Sequence, residues 1–212
     1  MKKILSLFIV LVAVTQLLVC TSAVYTYEGE GFNITLPDDY RDNGDMSFKG
    51  DDGSSISVNV TEYADGDKYN IYFSSDKDLQ ERANLLADTA NAFYKTQKTK
   101  AVMKVVSTEK VKHTNGKTVA VSVYETSVKK GKVKNQIVYE FTCVNNLYTF
   151  TYTGEKSLDD EAVKNAFDSI TIDEKEGKGF LDVIGSYIAG GLIFGGVLVG
   201  IVKFIRTPAK RK

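Results

Sequence analysis

The chain has 212 residues, 43% of them apolar and 25% charged, a balance that suits a folded protein of one or two domains better than a disordered one. Its 27 basic and 27 acidic residues cancel, but all the acids lie within residues 28–182, where only 20 bases face them, a surplus of seven negative charges. That surplus argues against a nucleic-acid binder.

Met1-Lys2-Lys3 and the apolar run that follows have the charged start and apolar centre of a secretory signal, and Thr21-Ser22-Ala23 supplies a small residue before a cut. Residues 1–23 are therefore expected to be a signal peptide. Two other readings stay open. The uncharged stretch from residue 4 to residue 27 is long enough to remain as an anchor, and Cys20 offers a lipidation site, although Val19 before it is bulky for that chemistry.

Residues 24–175 read as one exported α+β domain. Phe32, Ile34 and Leu36 alternate until Pro37 ends the strand, and residues 56–60 alternate after the turn Asp51-Asp52-Gly53. Residues 75–96 predict a helix, with Leu79, Ala83, Leu86, Ala90 and Phe93 on one face and Ser75 and Asp78 as its capping pair. Residues 102–111 and 118–128 predict a hairpin across Asn115-Gly116, where both residues tolerate positive φ. After Lys129-Lys130-Gly131-Lys132, residues 133–144 and 147–153 predict two more strands around Asn145-Asn146. A second helix over residues 157–170 turns Val163, Ala166, Phe167 and Ile170 inward, with acids in its first turn. The expected fold is a central antiparallel sheet of about six or seven strands, arranged as a consecutive meander, with two main helices packed on it.

Gly31-Phe32-Asn33-Ile34-Thr35-Leu36-Pro37-Asp38-Asp39-Tyr40 resembles the opening of the PsbP-like and DcrB-like α/β/α family. The hairpin with Gly116, the aromatic strand Leu147-Tyr148-Thr149-Phe150-Thr151-Tyr152 and the closing Ala166-Phe167-Asp168-Ser169-Ile170 follow in that family's order. The family usually has Trp where Tyr40 stands, and this chain has no Trp. The resemblance implies an antiparallel sheet with helices on both sides, in exported or lipid-anchored modules that act mostly in binding, assembly or accessory roles.

Catalysis would need a nucleophile with a base, a metal set or a phosphate cradle. His113, the one histidine, sits beside a predicted turn and is expected to be solvated. Cys143 shares a strand face with Ile137, Tyr139 and Phe141 and is expected to be a buried, inert thiol. If the signal is removed, no second cysteine remains for an intramolecular disulfide. Asp38-Asp39, Asp51-Asp52 and Asp65-Gly66-Asp67 do not continue into a calcium loop and read as solvated turns. The sequons at Asn33 and Asn59 lie inside predicted strands and are read as chance. No catalytic, cofactor-binding or metal-binding residue is assigned, and no enzyme is expected. Residues 95–134 hold 11 basic and two acidic residues. Lys110, Lys112, Lys129, Lys130, Lys132 and Lys134 would form a cationic patch if their turns met at one end of the sheet. Solvated lysines neutralised by the acidic half of the domain are the other reading.

Residues 176–182 read as a juxtamembrane linker, 183–205 as a transmembrane helix and 206–212 as a basic cytoplasmic tail. The uncharged run from 183 to 202 covers a bilayer at about 1.5 Å per residue. Five basic residues and no acid follow it, which places the C-terminus in the cytoplasm and the domain outside. Gly185, Ala189, Gly196 and Gly200 fall on one stripe of that helix, where a second copy or another membrane protein could pack. The expected role is a single-pass, membrane-anchored, non-catalytic binding or assembly module of a bacterial cell envelope. The alternative is a subunit of a membrane complex that associates through the glycine stripe.

Overall fold

The structure, a computed structural model, describes residues 25–62, 70–128 and 132–177. The expected signal peptide, transmembrane helix, basic tail and stripe Gly185, Ala189, Gly196 and Gly200, together with Asp65-Gly66-Asp67, Lys129 and Lys130, all lie outside the described residues. Among the described residues no helix is long and apolar enough to cross a membrane.

Among the described residues ten strands and two helices follow in chain order: β1 (Tyr25–Gly29), β2 (Phe32–Leu36), β3 (Tyr40–Asp42), β4 (Ser47–Gly50), β5 (Ser55–Glu62), α1 (Asp76–Thr96), β6 (Val102–Lys112), β7 (Thr118–Val128), β8 (Lys132–Thr142), β9 (Asn146–Gly154), α2 (Glu161–Asp168) and β10 (Thr171–Ile172). Seven strands form an antiparallel sheet in the order β3-β4-β5-β9-β8-β7-β6, and a second sheet has the order β1-β2-β10. The meander expectation holds from β6 to β9. It fails at β5, which pairs with β9, Ser55 opposite Thr153 and Glu62 opposite Asn146, so α1 carries the chain from the sheet interior to its edge.

Strand alternation sorts the side chains onto two faces. Ile56, Val58, Val119, Val121, Ile137, Tyr139, Phe141, Phe150 and Tyr152 point one way and meet the small sheet and α2, burying Phe32, Ile34, Leu36, Val163, Ala166 and Phe167. On the opposite face α1 packs through Ala83, Ala87, Ala90 and Tyr94 onto Met103, Tyr124 and Val138. The result is three layers: α1, the seven-stranded sheet, and the small sheet with α2.

Local chemistry fixes the joints. Ser75 and Asp78 form a reciprocal capping box at the start of α1, as expected. The β6–β7 turn differs from expectation. Only Gly116 takes a positive φ, 81°, while Asn115 acts through its side chain, which accepts from the Lys117 amide at 2.9 Å and donates to the Ile170 carbonyl at 3.2 Å. In β6 a bulge between Val105 and Ser107 shifts the register, leaving Val106 exposed.

Candidate functional site

The described part of the chain leaves the fold along a short, heavily bonded segment. β10 adds Thr171 and Ile172 to the small sheet, and the Asp173 amide then donates to the Gly31 carbonyl at 3.0 Å. The Glu174 carboxylate accepts from the Asn145 amide, from Asn146 Nδ2 at 2.9 Å and from the Tyr148 hydroxyl at 3.3 Å. Lys117 Nζ donates to the Glu174 carbonyl at 2.6 Å, and the Val144 amide to the Lys175 carbonyl at 3.1 Å. Glu176 bridges to Cys143, and its carboxylate accepts from the Thr118 amide at 2.7 Å.

Gly177 closes the segment. Its amide donates to the Thr142 carbonyl at 3.0 Å, and its carbonyl accepts from Asn70 Nδ2 at 2.7 Å. A Cβ at this position would lie 2.6 Å from the Cys143 carbonyl oxygen, a backbone atom that cannot swing away, so the close approach requires glycine. Glu176 and Gly177, expected to open the linker, are bonded into the folded body.

The residues on the far side of Gly177 are tied in equally. The Ile71 amide donates to Thr142 Oγ1 at 3.2 Å, the Tyr72 amide to Asn70 Oδ1 at 3.0 Å, and the Phe73 amide to the Asn70 carbonyl at 3.2 Å. Lys110 Nζ donates to the Ser74 carbonyl at 2.6 Å. Residues 173–177, the turn at Asn70–Ser74, the β6–β7 hairpin and the β8–β9 turn thus share one end of the large sheet, the exit end.

The register corrects the cationic patch. Lys112 lies opposite Thr118 and Lys132 opposite Val128, ten residues further along β7. At about 3.3 Å per residue the two positions are about 33 Å apart. Successive hairpin turns of a meander fall at opposite ends of the sheet, so Lys110 and Lys112 belong to the exit end and Lys132 and Lys134 to the other. They form no single patch.

His113 is a second correction, because it is buried rather than solvated. Nδ1 accepts from the Asn115 amide at 3.2 Å, and Nε2 contacts the Phe167 carbonyl at 2.9 Å, where only a protonated nitrogen can donate. Both ring nitrogens are used, and the ring packs edge-on against Phe141 at 5.0 Å between centroids. It joins the hairpin to the C-terminal end of α2. Cys143 is buried as expected; burial, reinforced by the Glu174 charge, pushes its thiol up to about 12. At Asp51-Asp52 the Asp52 carboxylate accepts from the Ser54 amide at 2.8 Å, the turn expected there.

One buried charge pair has no counterpart in the sequence expectations. Arg82 Nη2 of α1 donates to Glu140 Oε1 of β8 at 2.6 Å, with side chains 15% and 7% exposed. It lies on the α1 face of the sheet, where burial and the neighbouring Glu140 charge hold the Tyr124 hydroxyl well above the usual phenol range. Thr149, opposite Glu140 on β9, has a buried hydroxyl with no hydrogen-bond partner. Among the described residues no three His, Cys, Asp or Glu side chains converge as metal ligands.

No family model matches the chain, and no curated protein matches it. Solved structures do. Cyanobacterial PsbP (CyanoP) from Synechocystis sp. PCC 6803 superposes with a TM-score of 0.54 at 13% identity, over 73% of this chain and 95% of that one. The Ran-binding protein Mog1p of Saccharomyces cerevisiae matches with a TM-score of 0.41 at 9% identity, over 72% of this chain and 97% of its own. A Bacteroides thetaiotaomicron protein matches with a TM-score of 0.42 at 14% identity, over 88% of this chain and 62% of its own. The Synechocystis likeness, with the two helices on an antiparallel sheet, gives the chain a PsbP-like α+β fold.

Proposed function

We propose that this chain is a membrane-anchored, extracytoplasmic, non-catalytic binding or assembly module of a bacterial cell envelope. The observation that carries the reading is the exit segment. Residues 173–177 are bonded to β7, β8, β9 and Asn70, so the domain hands the chain to the uncharged run at 183–202 from a fixed point. A tether that starts from a fixed point holds the domain beside the bilayer and raises its effective concentration for partners there. The PsbP-like fold supports a binding role. So do the two candidate nucleophile and base residues, since the Cys143 thiol is held protonated and both His113 nitrogens are bonded.

The test is fractionation with crosslinking. Full-length chain is expected to stay with membranes through an alkaline wash, to expose its domain to protease on the outer side only, and to crosslink to envelope partners that residues 24–177 alone also retain. Release by the wash would sink the tether. The glycine stripe supports the second reading, a subunit of a membrane complex. In that case partners are lost from residues 24–177 alone and from full-length chain carrying Gly196→Ile and Gly200→Ile.

A further inference from the structure

We propose that Tyr72 and Phe73 form an aromatic foot that rests in the interfacial layer of the bilayer and sets the angle at which the domain stands. The proposal rests on the tethered reading above. The two residues are among the exposed large apolar side chains, 41% and 50% accessible, and their rings meet edge to face with centroids 5.1 Å apart. Val144, 49% exposed, belongs to the same end of the molecule, its amide bonded to Lys175 of the exit segment.

Their position identifies the partner surface. Asn70 grips the Gly177 carbonyl with its side chain while its own carbonyl takes the Phe73 amide, so the aromatic pair and the point of exit are parts of one turn. Val183, where the apolar run starts, is six residues beyond Gly177. Six residues span at most about 20 Å when fully extended. The headgroup region is therefore within reach of the exit end and beyond reach of the other end of the sheet. Tyrosine and phenylalanine suit that layer, which accepts an apolar ring and solvates a phenol.

Charge contributes little. Lys110, Lys112, Lys117 and Lys175 at this end are interleaved with Glu62, Asp173, Glu174 and Glu176, so the contact is expected on zwitterionic bilayers and to be insensitive to salt. The foot and an electrostatic docking surface are thereby separable.

The absence of native tryptophan makes the test direct. Phe73→Trp and, as a second variant at the same foot, Tyr72→Trp each give a single emitter in the full chain; Val102→Trp places one at the opposite end of β6, at a site 47% exposed. The chains are reconstituted in phosphatidylcholine vesicles containing lipids brominated along the acyl chain, and folding is checked by circular dichroism. Emission from residue 73 or 72 is expected to shift to shorter wavelength and to be strongly quenched, with emission from residue 102 unchanged. A chain that resists the alkaline wash but shows no more quenching at 73 and 72 than at 102 overturns the foot and leaves the tether standing. A chain removed by the wash overturns both. Quenching that appears only with anionic lipid and vanishes in high salt replaces the foot with electrostatic docking.

Discussion

Replacing Arg82 with methionine keeps most of its volume and removes its charge, leaving Glu140 as a desolvated carboxylate on β8. Breaking one side of a buried pair costs about 3–5 kcal/mol when the remaining charge has no other relief. Arg82 is 15% exposed and Glu140 7%, so most of that desolvation is realised here. The expected loss for Arg82→Met is thus about 2–4 kcal/mol, short of the full range because Arg82 keeps some solvent contact. Arg82→Met with Glu140→Leu should recover most of the loss, since no charge is then stranded. The assay is urea unfolding of residues 24–177 by circular dichroism and tyrosine fluorescence. A loss below about 1 kcal/mol, or a double variant no more stable than Arg82→Met, would refute the buried-pair account.

His113→Ala removes a ring that packs on Phe141 and bonds Phe167 and Asn115, and is expected to cost about 2–3 kcal/mol. Hydrogen exchange should show faster exchange at Ser169 and Ile170 than in α1, because the lost bond ties the hairpin to α2. Burial raises the hydroxyls of Tyr139, Tyr148 and Tyr152 to about 12, as it does the Cys143 thiol. Their unfolded counterparts ionise from about pH 9 to 10, so stability is full below that range and falls as pH rises toward 12. Urea midpoints at pH 8, 10 and 11 should decrease in that order, and equal midpoints would contradict the burial of these groups.

The long elements were legible because each carries its own pattern. β7 runs from Thr118 to Val128 as its alternation predicts, and α1 begins at its Ser75 cap. Even within α1 the detail shifted. Ala87 and Tyr94 are buried where Leu86 and Phe93 were expected, because the alanines let the helix sit close to the sheet and the larger side chains flank that contact. β1, β3, β4 and β10 span five residues or fewer and owe their conformation to a partner strand. The β5–β9 pairing joins residues about ninety positions apart, and nothing local encodes it. His113 is buried by a helix 54 residues away. The separation of the lysines was derivable, since adjacent hairpins of a meander must turn at opposite ends. A signal for the buried pair was also present. Glu140 is a charged residue inside an apolar, aromatic strand, and Arg82 adjoins the alanine stripe of α1.

The exit segment also guards the one described thiol, and that coupling can be tested. In an oxidising compartment an accessible lone cysteine invites disulfides between chains. Here Cys143 is 1% exposed, its thiol donates to the Glu174 carbonyl at 3.8 Å, and the charge of Glu174 works with burial to keep it protonated. Since the thiolate is the reactive form, a thiol near 12 is almost silent at pH 8. A chain ending at Ile172 keeps β10 but loses Glu174, the Glu176 bridge and the Gly177 closure. A thiol that falls from about 12 back to its ordinary value near 9 raises the thiolate fraction at pH 8 by up to about a thousandfold. Residues 24–172 are therefore expected to label with iodoacetamide much faster than residues 24–177 and to form disulfide-linked dimers on a non-reducing gel. Gly177→Ala should fall between them, because a Cβ 2.6 Å from the Cys143 carbonyl pushes the closure off β8 without removing Glu174. Equal labelling of all three folded chains would mean that the core alone protects the thiol and that residues 173–177 serve only the exit.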